Sequence, residues 1–156
     1  MSLSASLEDY LEAVLLLVRQ RRVARVRDIA GRVGVSMPSV NTALKRLADQ
    51  GLVVHEPYEF VDLTEAGRVA AERIHRRHET LRRFLSDVLS LPDQIAQEDA
   101  CKMEHGLHPR TVVQLQRFLE FLEAGSGDSA PCVQALREAP SGSPPTPGTQ
   151  ESESDD

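Results

Sequence analysis

Leu7, Leu11, Val14, Leu15 and Val18 recur at steps of three and four, the stripe of a helix with a buried face. Ser6, with Asp9 three residues on, predicts a capping box at its start. At ~100° per residue, Asp9 and Glu12 fall on the far side around Leu16, so this helix is expected to be covered on both faces. Val26 to Val33 predicts a second, shorter helix ending at Gly34. Ser36 then caps a third, with Pro38 in its first turn, where no N–H is missed. Val40, Leu44 and Leu47 form its apolar side and Gly51 ends it. Leu52-Val53-Val54 and Phe60-Val61-Asp62-Leu63, around Pro57-Tyr58, predict two short strands and a turn. Thr64 and Glu65 open a helical stretch to about Leu89, with apolar positions Ala70, Ile74, Leu81, Leu85 and Val88, and Pro92 breaks it. A helix from about Asp93 ends at Gly106. Pro109 starts the last, with a stripe of Val112, Leu115, Phe118, Leu119 and Leu122.

From Ala124 onward Gly, Ser, Pro and acids dominate, which predicts a disordered acidic tail. The fold class expected is mainly α: a winged helix-turn-helix domain over 1–63, a linker helix and helical domain over 64–123, and the tail over 124–156. No apolar run approaches the ~20 residues of a membrane helix, and no signal peptide opens the chain. The two cysteines, Cys101 and Cys132, are too few for a disulfide scaffold, so a cytoplasmic protein is expected.

Charge changes this picture. The net charge is −6, yet residues 19–83 carry 14 Lys/Arg against 8 Asp/Glu, a local +6. The basic segment coincides with the helix–turn–helix–wing order, as phosphate binding requires. Ser36, Pro38, Ser39, Asn41 and Thr42 offer small side chains for base edges. Arg25, Arg27, Lys45 and Arg46 are the candidate phosphate contacts, and Tyr58 at the wing tip a backbone contact. A three-helix unit used only for protein packing is the alternative.

One run carries more chemistry than any other. In Asp99-Ala100-Cys101-Lys102-Met103-Glu104-His105, a thiol, a carboxylate and an imidazole stand at offsets 0, 3 and 4, neighbours on a helix. Asp9 and Glu12 repeat the three-residue step with two carboxylates. His78 lies inside the apolar stripe of the long helix. Each has a plainer use: Asp9 in a cap, Glu12 on the surface, His78 in a core, Cys101 as a small apolar group. Together they form a set that is costly to bury unless paired or metallated. His75 and His108 are expected on the surface. The candidate ligands Asp9, Glu12, His78, Cys101, Glu104 and His105 suit Fe²⁺, Mn²⁺, Co²⁺ or Zn²⁺, the thiolate favouring Fe²⁺ over Mn²⁺.

Taken together, Leu7-Glu8-Asp9-Tyr10-Leu11-Glu12, Val35-Ser36-Met37-Pro38-Ser39-Val40, Arg77-His78-Glu79 and the Cys101 run resemble the diphtheria toxin repressor family of metal-dependent regulators, with its manganese-regulator branch, over residues 5–123. The resemblance implies a homodimeric, non-enzymatic repressor that binds palindromic double-stranded operator DNA when loaded with Fe²⁺ or Mn²⁺, Co²⁺ and Zn²⁺ serving in vitro. It implies metal homeostasis as the controlled process and no membrane or organic cofactor. Cys101, Glu104 and His105 match the iron branch's primary site, whereas Asp9, Glu12 and His78 match the manganese branch. Arg82 and Gln97 stand where iron regulators have ancillary ligands. An SH3-like domain is expected to be absent, with the tail and Cys132 in its place. Leu85, Val88, Val112, Leu115, Phe118, Leu119 and Leu122 are the expected dimer contacts. The rival is a metal-independent winged-helix regulator answering to an organic ligand; a metalloenzyme ranks below it.

Overall fold

A computed structural model describes residues 3–55 and 60–124. Tyr58, Cys132 and the expected tail beyond Ala124 lie outside the described residues. The order is α1 (Ala5–Arg21), α2 (Val26–Val33), α3 (Met37–Asp49), β1 (Val53–His55), β2 (Val61–Leu63), α4 (Glu65–Arg83), α5 (Asp93–Glu104) and α6 (Pro109–Ala124). One π-helical turn, Phe84–Val88, extends α4.

The cap of α1 differs from expectation. Ser4, not Ser6, precedes the helix, and its Oγ accepts from the Leu7 N–H at 3.4 Å. This frees Asp9 from any capping role. Ser36 and Thr64 cap α3 and α4 in the same way, accepting from Ser39 and Gly67. Gly34 closes α2 at φ 77°, a left-handed conformation that suits glycine. The strands pair antiparallel, Val53 opposite Leu63, and the Val61 N–H donates to the Ala24 carbonyl, fastening the wing to the chain before α2.

Helix α1 is the central element. It packs against α2, α3, β2 and α4, and buries Leu7, Tyr10, Leu11, Ala13, Val14, Leu15 and Leu17 around most of its circumference. Its core continues through Ile29, Val40, Leu44, Leu47 and Val61 to Ile74 on α4. The first turn of α4 runs close under the α3–β1 connection: a Cβ on Gly67 would lie 1.7 Å from the Leu52 carbonyl oxygen.

The second half is thinner. Leu81, Leu85, Ala96 and Ala100 make one cluster, and Val88 with Leu119 another, with Leu122 and Phe84 alongside. This corrects part of the expected dimer surface. Leu85, Val88, Val112 and Leu119 are buried inside the chain, because α6 spends that edge of its stripe on its own subunit. Leu115 and Leu122 are half-buried, and Phe118 is exposed. The largest apolar exposure on α6 falls at Phe121, 71% exposed, off the stripe read from the sequence.

Candidate metal centre

Three elements bring the site together. Asp9 and Glu12 project from one side of α1, His78 from the middle of α4, and Glu104 and His105 from the end of α5. Glu104 sits at the centre and is 1% exposed. Its Oε2 faces His78 Nδ1 at 3.2 Å, and its Oε1 faces His105 Nε2 at 3.4 Å. Two groups result, Asp9–Glu104–His105 and Glu12–His78–Glu104, each with ligand atoms within 4.8 Å of one another. A carboxylate so deep in the chain is stable only if strongly paired.

The electrostatics fit a cation. Burial pushes the Asp9 carboxyl up from its ordinary value, with His105 opposing and Glu104 and Glu8 adding to the rise. The hydrogen bond to Glu104 raises His78 above the usual imidazole value against the effect of burial. Loss of hydration pushes the Cys101 thiol up, and Asp9, Glu104 and Glu12 push the same way. Negative charge is crowded here, which a divalent ion relieves. Oxygen and imidazole donors in this number fit a first-row divalent metal.

Of the six expected ligands, five fall in the two groups. Cys101 does not. It is an exposed thiol on the wall of a cavity of about 450 Å³ that also touches Asp9, Glu12 and His78. The i, i+3 and i, i+4 steps are real helix neighbours, but in this structure the Cys101 thiol lies outside both groups of close ligand atoms. Glu104 points inward to His78, while Cys101 stays at the mouth.

Residues outside the expected ligand set complete the surroundings. His75, expected on the surface, faces Glu12 Oε1 through Nδ1 at 3.0 Å and lines the cavity. Its signal was its place one turn before His78. Gln97 Nε2 meets His78 Nε2 at 2.8 Å, leaving Nδ1 for the carboxylates. Glu8 meets His105 at 3.2 Å. Arg82 is bound by Glu79 and Asp93, and the Arg82 contact pulls the Glu79 carboxyl down.

The residues expected to meet DNA are on the surface of the helix-turn-helix unit. Arg25, Arg27, Ser36, Pro38, Ser39, Asn41, Thr42, Lys45 and Arg46 are all exposed. Three of the hydroxyls are occupied locally: Ser36 caps α3, the Ser36 and Ser39 hydroxyls are hydrogen-bonded to each other at 2.9 Å, and Thr42 Oγ1 donates to the Pro38 carbonyl at 3.0 Å. Arg25 lies over the Phe60 ring, 5.1 Å from its centre. Among the described residues no helix is long and apolar enough to cross a membrane.

A winged helix-turn-helix unit whose first helix shares a carboxylate–imidazole cluster with a separate helical unit defines a class, the metal-dependent transcriptional repressors. The chain belongs to the iron-dependent repressor family: residues 2–61 match its N-terminal DNA-binding domain and residues 64–128 its metal-binding and dimerisation domain. It is 34% identical over 119 residues to an uncharacterised HTH-type transcriptional regulator of Methanocaldococcus jannaschii, covering 76% of this chain and 95% of that protein. To the transcriptional regulator MntR of Escherichia coli O6:H1 it is 38% identical over 114 residues, 73% of each chain. Among solved structures, a manganese-dependent transcriptional repressor in complex with manganese superposes with TM-score 0.66 at 30% identity, covering 74% of this chain and 53% of that one. The IdeR of T. acidophilum superposes with TM-score 0.65 at 27% identity, over 76% of this chain and 55% of that one. The chain thus spans about half the length of the solved repressors it matches. The reading as a metal-independent regulator is not favoured by these matches.

Proposed function

We propose that the protein is a homodimeric repressor that grips palindromic operator DNA when Mn²⁺ or Fe²⁺ occupies the cluster of Asp9, Glu12, His78, Glu104 and His105, and that it acts in the cytoplasm on metal homeostasis. The observation that carries this is the convergence of α1, part of the DNA-reading unit, with α4 and α5 on one buried carboxylate, Glu104. A bound cation supplies the positive charge that lets these carboxylates lie together. Asp9 and Glu12 then hold α1 in place against α5 and α4, and α1 carries α2, α3 and the wing with it. Glu104 offers one oxygen to each group, the arrangement of a carboxylate that can serve two ions. With Cys101 outside both groups, the donors are oxygen and nitrogen, which suits Mn²⁺ better than the thiolate-containing set read from the sequence.

Two α3 helices in a dimer match half-sites about one helical turn, ~34 Å, apart only if each unit is held at a fixed angle. Dimerisation is assigned to the outer side of α6, where Phe118 and Phe121 are exposed beside half-buried Leu115 and Leu122. Arg25, Arg27, Lys45 and Arg46 contact phosphates, and Asn41, Ser39 and Thr42 stand nearest to the bases. The domains divide after β2, at Leu63.

DNA mobility-shift titrations with purified, chelator-stripped protein test this. Mn²⁺ or Fe²⁺ is expected to tighten operator binding roughly 5- to 150-fold, a coupling of ~1–3 kcal/mol. His105→Ala should abolish the response and leave a folded dimer. Equal DNA affinity with metal and with chelator would sink the proposal.

A further inference from the structure

Glu8 is the neighbour of Asp9 on α1, yet its carboxylate serves a different purpose. One oxygen, Oε2, takes both the His105 Nδ1 at 3.2 Å and the Arg77 guanidinium. The other ring nitrogen of His105, Nε2, faces Asp9 Oδ1 at 3.0 Å and Glu104 Oε1 at 3.4 Å. One imidazole is therefore spanned by two successive carboxylates of α1. The two nitrogens are not equivalent: Nε2 looks into the carboxylate cluster and Nδ1 looks away from it.

We propose that Glu8, clamped by Arg77, is a positioning residue that keeps the ring proton of His105 on Nδ1 and so presents the Nε2 lone pair to the cation site. The proposal rests on the ligand set given above. A neutral imidazole has one N–H and one lone pair, and the hydrogen bond made by one nitrogen decides which is which. A carboxylate at Nδ1 holds the proton there, fixes the ring plane and makes Nε2 a better donor to a metal.

Arg77 makes the arrangement rigid. It comes from α4, Glu8 from α1 and His105 from the C-terminal end of α5, so three elements meet at one oxygen. The Glu8 side chain is only 14% exposed, so its carboxylate has little water to fall back on. The Arg77 Nε is buried with no hydrogen-bond partner among the described residues. That guanidinium is held in place by Glu8 rather than by a full set of bonds of its own. His105 is thus oriented relative to α1 in the metal-free chain.

The test uses the full chain and two readouts. Nitrogen-15 NMR of the histidine rings, in metal-free and Zn²⁺-loaded protein, reports which nitrogen of His105 carries the proton, and calorimetry reports Mn²⁺ affinity. With Zn²⁺ bound, the wild type is expected to show the Nδ1–H form, Nε2 being the nitrogen that faces the cation. Glu8→Ala should mix the two forms and weaken Mn²⁺ binding about 10- to 100-fold, whereas Glu8→Gln, whose amide oxygen still accepts from Nδ1–H, should stay within about threefold of wild type. Arg77→Ala should weaken binding and Arg77→Lys should restore it. Circular dichroism on Glu8→Gln and Arg77→Lys keeps the test open if an alanine variant does not fold. Glu8→Ala with the wild-type ring form and unchanged Mn²⁺ affinity overturns the positioning role. If His105→Ala itself leaves Mn²⁺ affinity unchanged, the ligand set falls and the role of Glu8 falls with it.

Discussion

From Leu7 to Ile74 the buried apolar side chains join into one cluster, whereas beyond Ile74 they break into two small ones, Leu81 with Leu85, Ala96 and Ala100, and Val88 with Leu119. The contrast extends to polar groups. His78, Thr80 and Glu104, the buried polar residues among those described, all lie in the second region. Exposed large apolar side chains occur in both regions, Val35, Met37 and Phe60 in the first and Val113, Phe118 and Phe121 in the second. In the first region hydrophobic burial is continuous around α1 and runs on to Ala71 and Ile74 of α4. The second region has less apolar surface to bury and a crowded set of carboxylates, so under the function proposed above a cation inside and a second copy outside would add to its stability.

The largest effect separates the two cores. Leu44 is fully buried on α3, and Leu44→Ala should cost ~2–5 kcal/mol in denaturant unfolding. Leu119→Ala removes the same atoms from a rim cluster and should cost less than half as much at low protein concentration. Equal losses in the two variants would erase the distinction drawn here.

Next comes the dependence of the second region on metal. At a hundredfold excess of Mn²⁺ over its Kd, linkage adds ~2.7 kcal/mol to folding. Glu104→Gln keeps the volume but removes the charge that pairs with His78 and His105, so the metal-free variant should be less stable than wild type. The Mn²⁺ increment should vanish. A thermal-melt series with and without Mn²⁺ reads both quantities, and an increment that survives in Glu104→Gln removes Glu104 from the centre of the site.

The junction between the regions is expected to be sensitive for a third reason. Gly67 lets the first turn of α4 pass against backbone at Leu52, and there is no flexible side chain to move aside. Gly67→Ala should destabilise by ~1–3 kcal/mol through forced backbone shifts, despite the better helix propensity of alanine. A neutral or stabilising result, measured by urea midpoint, would mean that α4 is free to slide on the reading unit.

The same division explains what could be read from the chain. In the first region local signals agree with the fold: Ser36 with Pro38, Gly34, Gly51 and the Leu44–Leu47 spacing place α2, α3 and the wing within a residue or two. Helix α1 began earlier than expected because Ser4 competes for the cap. In the second region the helices were legible from Thr64, Pro92 and Pro109, but their faces were not. The stripe Val112–Leu119 looked like an interface because an apolar edge does not say whether its cover is the same chain or another. Five metal-ligand candidates came together because α1, α4 and α5 pack with these residues facing one another, which local spacing alone does not fix. Cys101 stayed outside both groups despite that spacing; Glu8 was read only within a motif and His75 as a surface residue although it stands one turn before His78, their partners being set by helix packing.

The smallest expected effect sharpens the comparison on the DNA side, at the contact of Arg25 with Phe60. Arg25 stands before α2 and Phe60 before β2, so the cation–π contact joins the helix-turn-helix to the wing. If that contact is its only use, Phe60→Leu and Arg25→Gln should each cost ~0.5–1 kcal/mol of stability and change DNA binding alike. If Arg25 also meets a phosphate, the two variants differ. Arg25→Gln then lowers the slope of log affinity against log salt by about 0.9 per half-site, whereas Phe60→Leu leaves the slope unchanged. The phosphate role is the one expected, because Arg25 is exposed beside Arg27 within the basic segment. Identical salt slopes for wild type and Arg25→Gln would confine Arg25 to holding the wing.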